Sequence, residues 1–171
     1  MRYVVIGFCV FAAACAGAPP TAPTSSATTS SLSQIGSVAT ESKGGSDLPF
    51  KGDPQATEAV VGELHHLIGG GNGTHLGRFT YAADITVDPA TGNGVGTVVW
   101  TAANGDQIFA STAGQRVFVA FPTIGLKETQ SITGGTGRFV GASGTIIVER
   151  SLDVPTHVTT GSFDGAINLG H

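Results

Sequence analysis

ITGGTGRFVGASGTIIV, Ile132 to Val148, is the stretch on which the fold of this chain turns. Gly134, Gly135, Gly137, Gly141 and Gly144 stand between two ends that are β-branched and apolar. β-Branched side chains suit a pleated strand, and glycine reaches backbone conformations closed to other residues. The stretch therefore reads as strand, tight glycine-dependent connection, strand. Phe139, the one aromatic group in the connection, is expected to fold back as a plug on a core.

Working outward, the same alternation recurs. Ile124, Leu126, Glu128, Gln130 and Ile132 share one face of the strand before the connection, and Ile146, Val148, Arg150 and Leu152 share one face of the strand after it. From His75 to Asp88, Phe79, Tyr81, Ala83, Ile85 and Val87 alternate with Arg78, Thr80, Asp84 and Thr86, which means one buried face and one wet face. Val98 and Trp100 lie on one side of Gly96–Ala103, and Asn104-Gly105 is a hairpin signal. Gln107–Thr112 and Gln115–Phe121 are expected as separate strands around Ala113-Gly114, with Pro122 breaking the chain after them. His157–Leu169 closes the series with Phe163 and Ile167 on one face. Nearer the start, Leu48–Gly52 reads as a short edge strand limited by Pro49. Glu58–Ile68 reads as one strand, although Val60, Leu64 and Ile68 also fit a helix, and Gly69–Gly73 as a flexible turn.

Roughly eight to ten strands joined by short links run antiparallel to their neighbours. Closing the sheet removes its edges, so the expected fold is an all-β, eight-stranded antiparallel up-and-down β-barrel. Such a barrel has an interior that is packed or holds one small ligand. A two-sheet sandwich is the alternative.

The glycine-rich stretch resembles the GGTG-x-F-x-x-A-x-G signature of dirigent proteins and related allene oxide cyclase-type barrels. The order HLGRFT, GTVVWTAANGDQI, ETQSITGGTGRF, GSFDGAI is similar to that of uncharacterised bacterial members of the superfamily, over His75 to Ile167. The resemblance implies an eight-stranded antiparallel barrel, a homotrimer in many plant members, and radical coupling or epoxide cyclisation as the activities known on the fold. It carries no functional residue over to this chain, because it lies in the turn motif and not in a cavity lining.

The first residues give an address. In 1–15, MRYVVIGFCVFAAAC, Arg2 precedes an apolar run from Tyr3 to Ala14 that is too short to span a bilayer as a helix. That is the layout of an export signal peptide. Ala12-Ala13-Ala14-Cys15 resembles a bacterial lipobox, which implies cleavage before Cys15 and a lipid on its sulfur, although Ala12 stands where Leu is usual. The expected location is the cell envelope, as a membrane-anchored lipoprotein, with a secreted or periplasmic protein as the alternative. Ser, Thr, Ala, Pro and Gly dominate 16–46, which reads as a disordered tether, and 47–171 is the barrel domain. The two cysteines, Cys9 and Cys15, both fall in the leader, so the domain has neither a disulfide nor a catalytic thiol.

Composition narrows the function. The chain carries 8 Lys+Arg against 12 Asp+Glu, and an acidic balance argues against nucleic acid as a partner. No phosphate loop, dinucleotide fingerprint or calcium loop is present, and no cofactor is expected. Glu63, His65, His66 and His75 are close in sequence, but a strand puts only Glu63 and His65 on one side, short of the three or four ligands a metal needs. They read as surface or rim groups. Placing Ile132 opposite Ile146 would set Glu128 beside Arg150, a structural ion pair or a candidate catalytic acid/base pair in a cavity. Tyr81, Trp100 and Phe118 are candidate ligand contacts, but with Phe109, Phe121 and Phe163 they read first as ordinary core, since a barrel must fill its middle. The expected protein is a non-enzymatic barrel that binds a small apolar ligand or serves a structural surface role. The alternative is a cyclase, isomerase or dirigent-type enzyme working in the barrel cavity.

Overall fold

A computed structural model describes residues 45–170, so the leader expected at 1–15 and nearly all of the tether expected at 16–46 lie outside the described residues. The strands are β1 (Leu48–Val61), β2 (Leu64–Gly73), β3 (Gly77–Val87), β4 (Asn93–Ala102), β5 (Gln107–Ala120), β6 (Thr123–Gly135), β7 (Ser143–Asp153) and β8 (Val158–Asn168). Each pairs antiparallel with its sequence neighbour, and β1 pairs with β8, which closes the barrel. That last pairing decides barrel over sandwich.

Glycine placement explains where the strand boundaries depart from expectation. Glu58–Ile68 is not one strand but two, reversed at Gly62-Glu63, where Gly62 takes a φ of 63°. Gly69–Gly73 is not a turn but the second half of β2. Its glycines make room for aromatic rings: a Cβ on Gly71 would stand 2.9 Å from the Phe79 ring, and one on Gly73 2.9 Å from the Phe163 ring. Ala113-Gly114 does not break β5, because both residues pair with β4 and β6, and glycine leaves room there for Glu128, whose Cγ would lie 2.5 Å from a Cβ on Gly114. Leu48–Gly52 extends through Pro54 to Val61, and the ladder to β8 skips Asp53 and Pro54, where proline has no N–H to donate.

The β2–β3, β4–β5 and β6–β7 connections share one end of the barrel with Gly45, whose carbonyl oxygen accepts a hydrogen bond from Asn168 Nδ2. This end is closed. The β6–β7 connection forms a 3-10 turn at Gly137–Phe139, and Phe139 is fully buried as the expected plug. Gly137 needs its φ of 55° there, and a Cβ on it would strike Asp106 at 1.9 Å. Below the plug, Phe163 packs 5.0 Å from Phe50 and 5.0 Å from Trp100, and Phe79 lies edge-on to Trp100 at 5.1 Å. Apolar rings in van der Waals contact fill this half solidly.

The other end carries the β1–β2, β3–β4, β5–β6 and β7–β8 turns and is open. Of the aromatics read as core, Trp100 and Phe163 are inside, whereas Phe109, Phe118 and Phe121 face out, Phe121 at 80% exposure. The reason is parity and length: β5 bulges between Arg116 and Phe118 and runs past the barrel wall to the β5–β6 turn.

Candidate functional site

The expected pairing of Ile132 with Ile146 is corrected by two residues. Gln130 stands opposite Ile146, Glu128 opposite Val148 and Leu126 opposite Arg150. A slip of two leaves every side chain on its face, so Glu128 and Arg150 still meet, now diagonally. Arg150 Nε donates to Glu128 Oε1 at 2.8 Å, and a second guanidinium nitrogen lies 2.6 Å from the same oxygen. The side chains are 7% and 8% exposed, so this is a buried ion pair in the barrel interior. Arg150 also reaches Thr159 Oγ1 at 3.4 Å. One layer toward the closed end, Trp100 Nε1 donates to Gln130 Oε1 at 3.1 Å, the partner a buried indole N–H needs.

A second polar pair was not legible along the chain. The hairpin at Gly62-Glu63 sets Val60 opposite His65 and brings Glu58 diagonally to it, and His65 Nδ1–H donates to Glu58 Oε1. Glu58 is 7% exposed, and its Oε2 has no hydrogen-bond partner among the described residues. Thr112 Oγ1, on β5, is likewise buried without one. The available signal was Gly62 itself: read as a turn, it folds Glu58 and His65 onto one wall.

These groups border a hollow of about 240 Å³ at the open end. Glu58, His65, Thr112, Glu128 and Arg150 supply its polar lining, with Arg116 toward the β3–β4 turn. Ile85, Val87, Ile124, Leu126 and Leu152 supply apolar wall. At about 30 Å³ per water this is room for roughly eight waters, or a molecule of about ten heavy atoms.

The other candidates lie elsewhere. Tyr81 stacks on Trp100 at 5.1 Å, and the two border a separate void of about 10 Å³ shared with Glu128 and Arg150, at the limit for one water. Burial pushes the Tyr81 hydroxyl up to about 12, against a smaller opposing pull from Arg150. Phe118 lies outside, its ring over Gly125. His66 faces out to Asp84, its Nδ1 2.5 Å from Oδ1, and His75 occupies the β2–β3 turn, so the three histidines do not converge.

The arrangement can hold a small amphipathic molecule, its apolar body against the aliphatic wall and its polar end toward the polar side chains of the lining. It can also offer a carboxylate–imidazole pair for proton transfer. Comparison with family models, with curated proteins and with solved structures finds no match for this chain.

Proposed function

We propose that this chain is an exported, lipid-anchored β-barrel that binds one small amphipathic molecule in its open-end hollow and releases it unchanged. The observation that carries this is the division of the interior. One half is packed solid, while the other is hollow, with polar side chains and an aliphatic wall lining the same space. A ligand with an apolar body and a polar end would match both parts of that lining.

The second reading is a cyclase- or isomerase-type enzyme in the same hollow, and the hydrogen-bonded Glu58–His65 pair favours it. Proton transfer would then fall to Glu58 and His65, because Glu128 and Arg150 already occupy each other.

Native mass spectrometry of the full chain purified from its own host tests both. Binding without chemistry predicts one retained small molecule per barrel whose mass is unchanged after incubation. A product of equal mass but different chromatographic retention would establish the isomerase. Barrels that retain nothing, and that take up no member of a fragment library, would overturn both. The same spectra read the homotrimer implied by the resemblance and the lipid mass expected on Cys15.

A further inference from the structure

Among the described residues, seven of the eleven exposed large hydrophobic side chains stand at two hairpins of the open end. Val117, Phe118, Val119 and Phe121 belong to the β5–β6 hairpin, and Val60, Val61 and Leu64 to the β1–β2 hairpin.

The β5–β6 hairpin is bare because its first strand outruns its neighbour. The ladder from β5 to β4 ends at Gln115, so the end of β5 pairs with β6 alone. Successive strand residues face opposite sides, so an unbroken exposed run from Val117 to Phe121 means that neither side is covered. The ten residues from Val117 to Leu126 carry no charge. The β1–β2 hairpin lies half-way round the ring of eight strands, with Val61 76% exposed. The hollow lies between the two, lined by Glu58 and His65 on one side and by Ile124 and Leu126 on the other.

The shape selects the occupant. A stable contact between two protein copies buries roughly 800 Å² per partner in one self-complementary patch. Two narrow tips with a hollow between them do not make such a patch, whereas a fluid lipid surface moulds round each tip. At the turns of this end Glu63, Asp88 and Asp153 outnumber Arg116, which suits zwitterionic and not anionic headgroups. Depth is limited as well. The β5 edge beyond Gln115 has no strand beside it, and Glu63 sits at the crest of the other hairpin, so the tips stop at the boundary of headgroups and acyl chains. The chain ahead of the barrel permits this posture. It enters at Gly45 on the closed end, and the 29 residues between Cys15 and Gly45 span at most about 100 Å, against roughly 46 Å for a 14-residue strand.

We propose that the open end docks mouth-down on a zwitterionic lipid surface, with the Val117–Phe121 tip and the Val60–Leu64 tip seated in its interfacial layer, so that the hollow opens onto lipid. This orientation rests on the lipid-anchored reading above and adds to it which end meets the membrane.

Tryptophan emission on vesicles tests it. Phe121→Trp, Val61→Trp and, at the closed end, Val140→Trp are each made in the full chain purified from its own host. All three positions are exposed, and the buried Trp100 gives the same background in each. The vesicles are phosphatidylcholine, with and without bromine on the acyl chains. Phe121→Trp and Val61→Trp shift to the blue on vesicles and lose emission to the brominated lipid, while Val140→Trp does neither. If the chain sediments with vesicles and the two open-end variants keep their emission, or if Val140→Trp is quenched equally, the docking falls and the anchor stands. If Phe121→Trp shifts to the blue with protein concentration before any lipid is added, a second copy covers the tip and the docking falls. If the chain does not sediment with vesicles at all, docking and anchor fall together.

Discussion

Replacing Arg150 by Met tests whether the interior is as dry around Glu128 as the structure places it. The guanidinium makes two contacts to one carboxylate oxygen, at 2.8 Å and 2.6 Å, with both side chains under a tenth exposed. Methionine keeps most of the stem volume and removes the charge, which strands a buried carboxylate. Breaking a buried pair from one side costs about 3–5 kcal/mol. The adjoining hollow admits water to the neighbourhood, which places the value near the lower figure. For a domain of this size each kcal/mol moves Tm by roughly 2–6 °C, so a fall of about 10–15 °C is expected. Urea and thermal unfolding of Arg150→Met, Glu128→Met and the double variant complete a double-mutant cycle. The double variant is expected to return to within about 1 kcal/mol of the parent or above it, since two well-packed apolar groups replace an ion pair at little net loss. A single variant within about 0.5 kcal/mol of the parent would refute the burial. A double variant as unstable as the singles would locate the loss in packing and in the Thr159 contact, not in the stranded charge.

Thr112→Val removes a buried hydroxyl with no partner among the described residues and is expected to raise the stability of the chain by about 1 kcal/mol, read as the urea midpoint. Tyr81 should ionise near pH 12 in the folded chain, against 10.0 ordinarily. Its raised value means that the stability it confers is intact below about pH 10 and is lost as pH climbs toward 12. Alkaline unfolding curves should show that loss, and Tyr81→Phe should remove it. Phe139→Ala empties a fully buried plug and should cost about 3–5 kcal/mol, whereas Phe121→Ala at 80% exposure should stay within about 0.5 kcal/mol; equal effects would mean the closed end is not sealed.

Much of the fold was legible because strand alternation is local. The inward set Phe79, Tyr81, Ala83, Ile85 and the shared face of Glu128 and Gln130 followed from a period of two, and both hold in the barrel. Glycines misled wherever their role was to leave space. Gly71, Gly73 and Gly114 look like turn residues along the chain, yet they sit inside strands because Phe79, Phe163 and Glu128 occupy the volume their side chains would fill. That neighbour is set by cross-strand register, which the chain does not display. Glu58 went unnoticed for the same reason: its partner His65 becomes a partner only once Gly62 reverses the chain.

By itself, the sequence determined that the domain is made of antiparallel strands, which side of most of them is apolar, and that a glycine-locked bend carries Phe139 into the core. Those are consequences of backbone sterics and of the hydrophobic preference of each residue, and they act over a few positions. Tertiary structure alone decided that β1 closes on β8, that the interior is solid at one end and hollow at the other, and that Glu58, His65, Thr112, Arg116, Glu128 and Arg150 face one space. These groups come from β1, β2, β5, β6 and β7, so their convergence is set by the curvature and register of the whole ring and is encoded in no single segment.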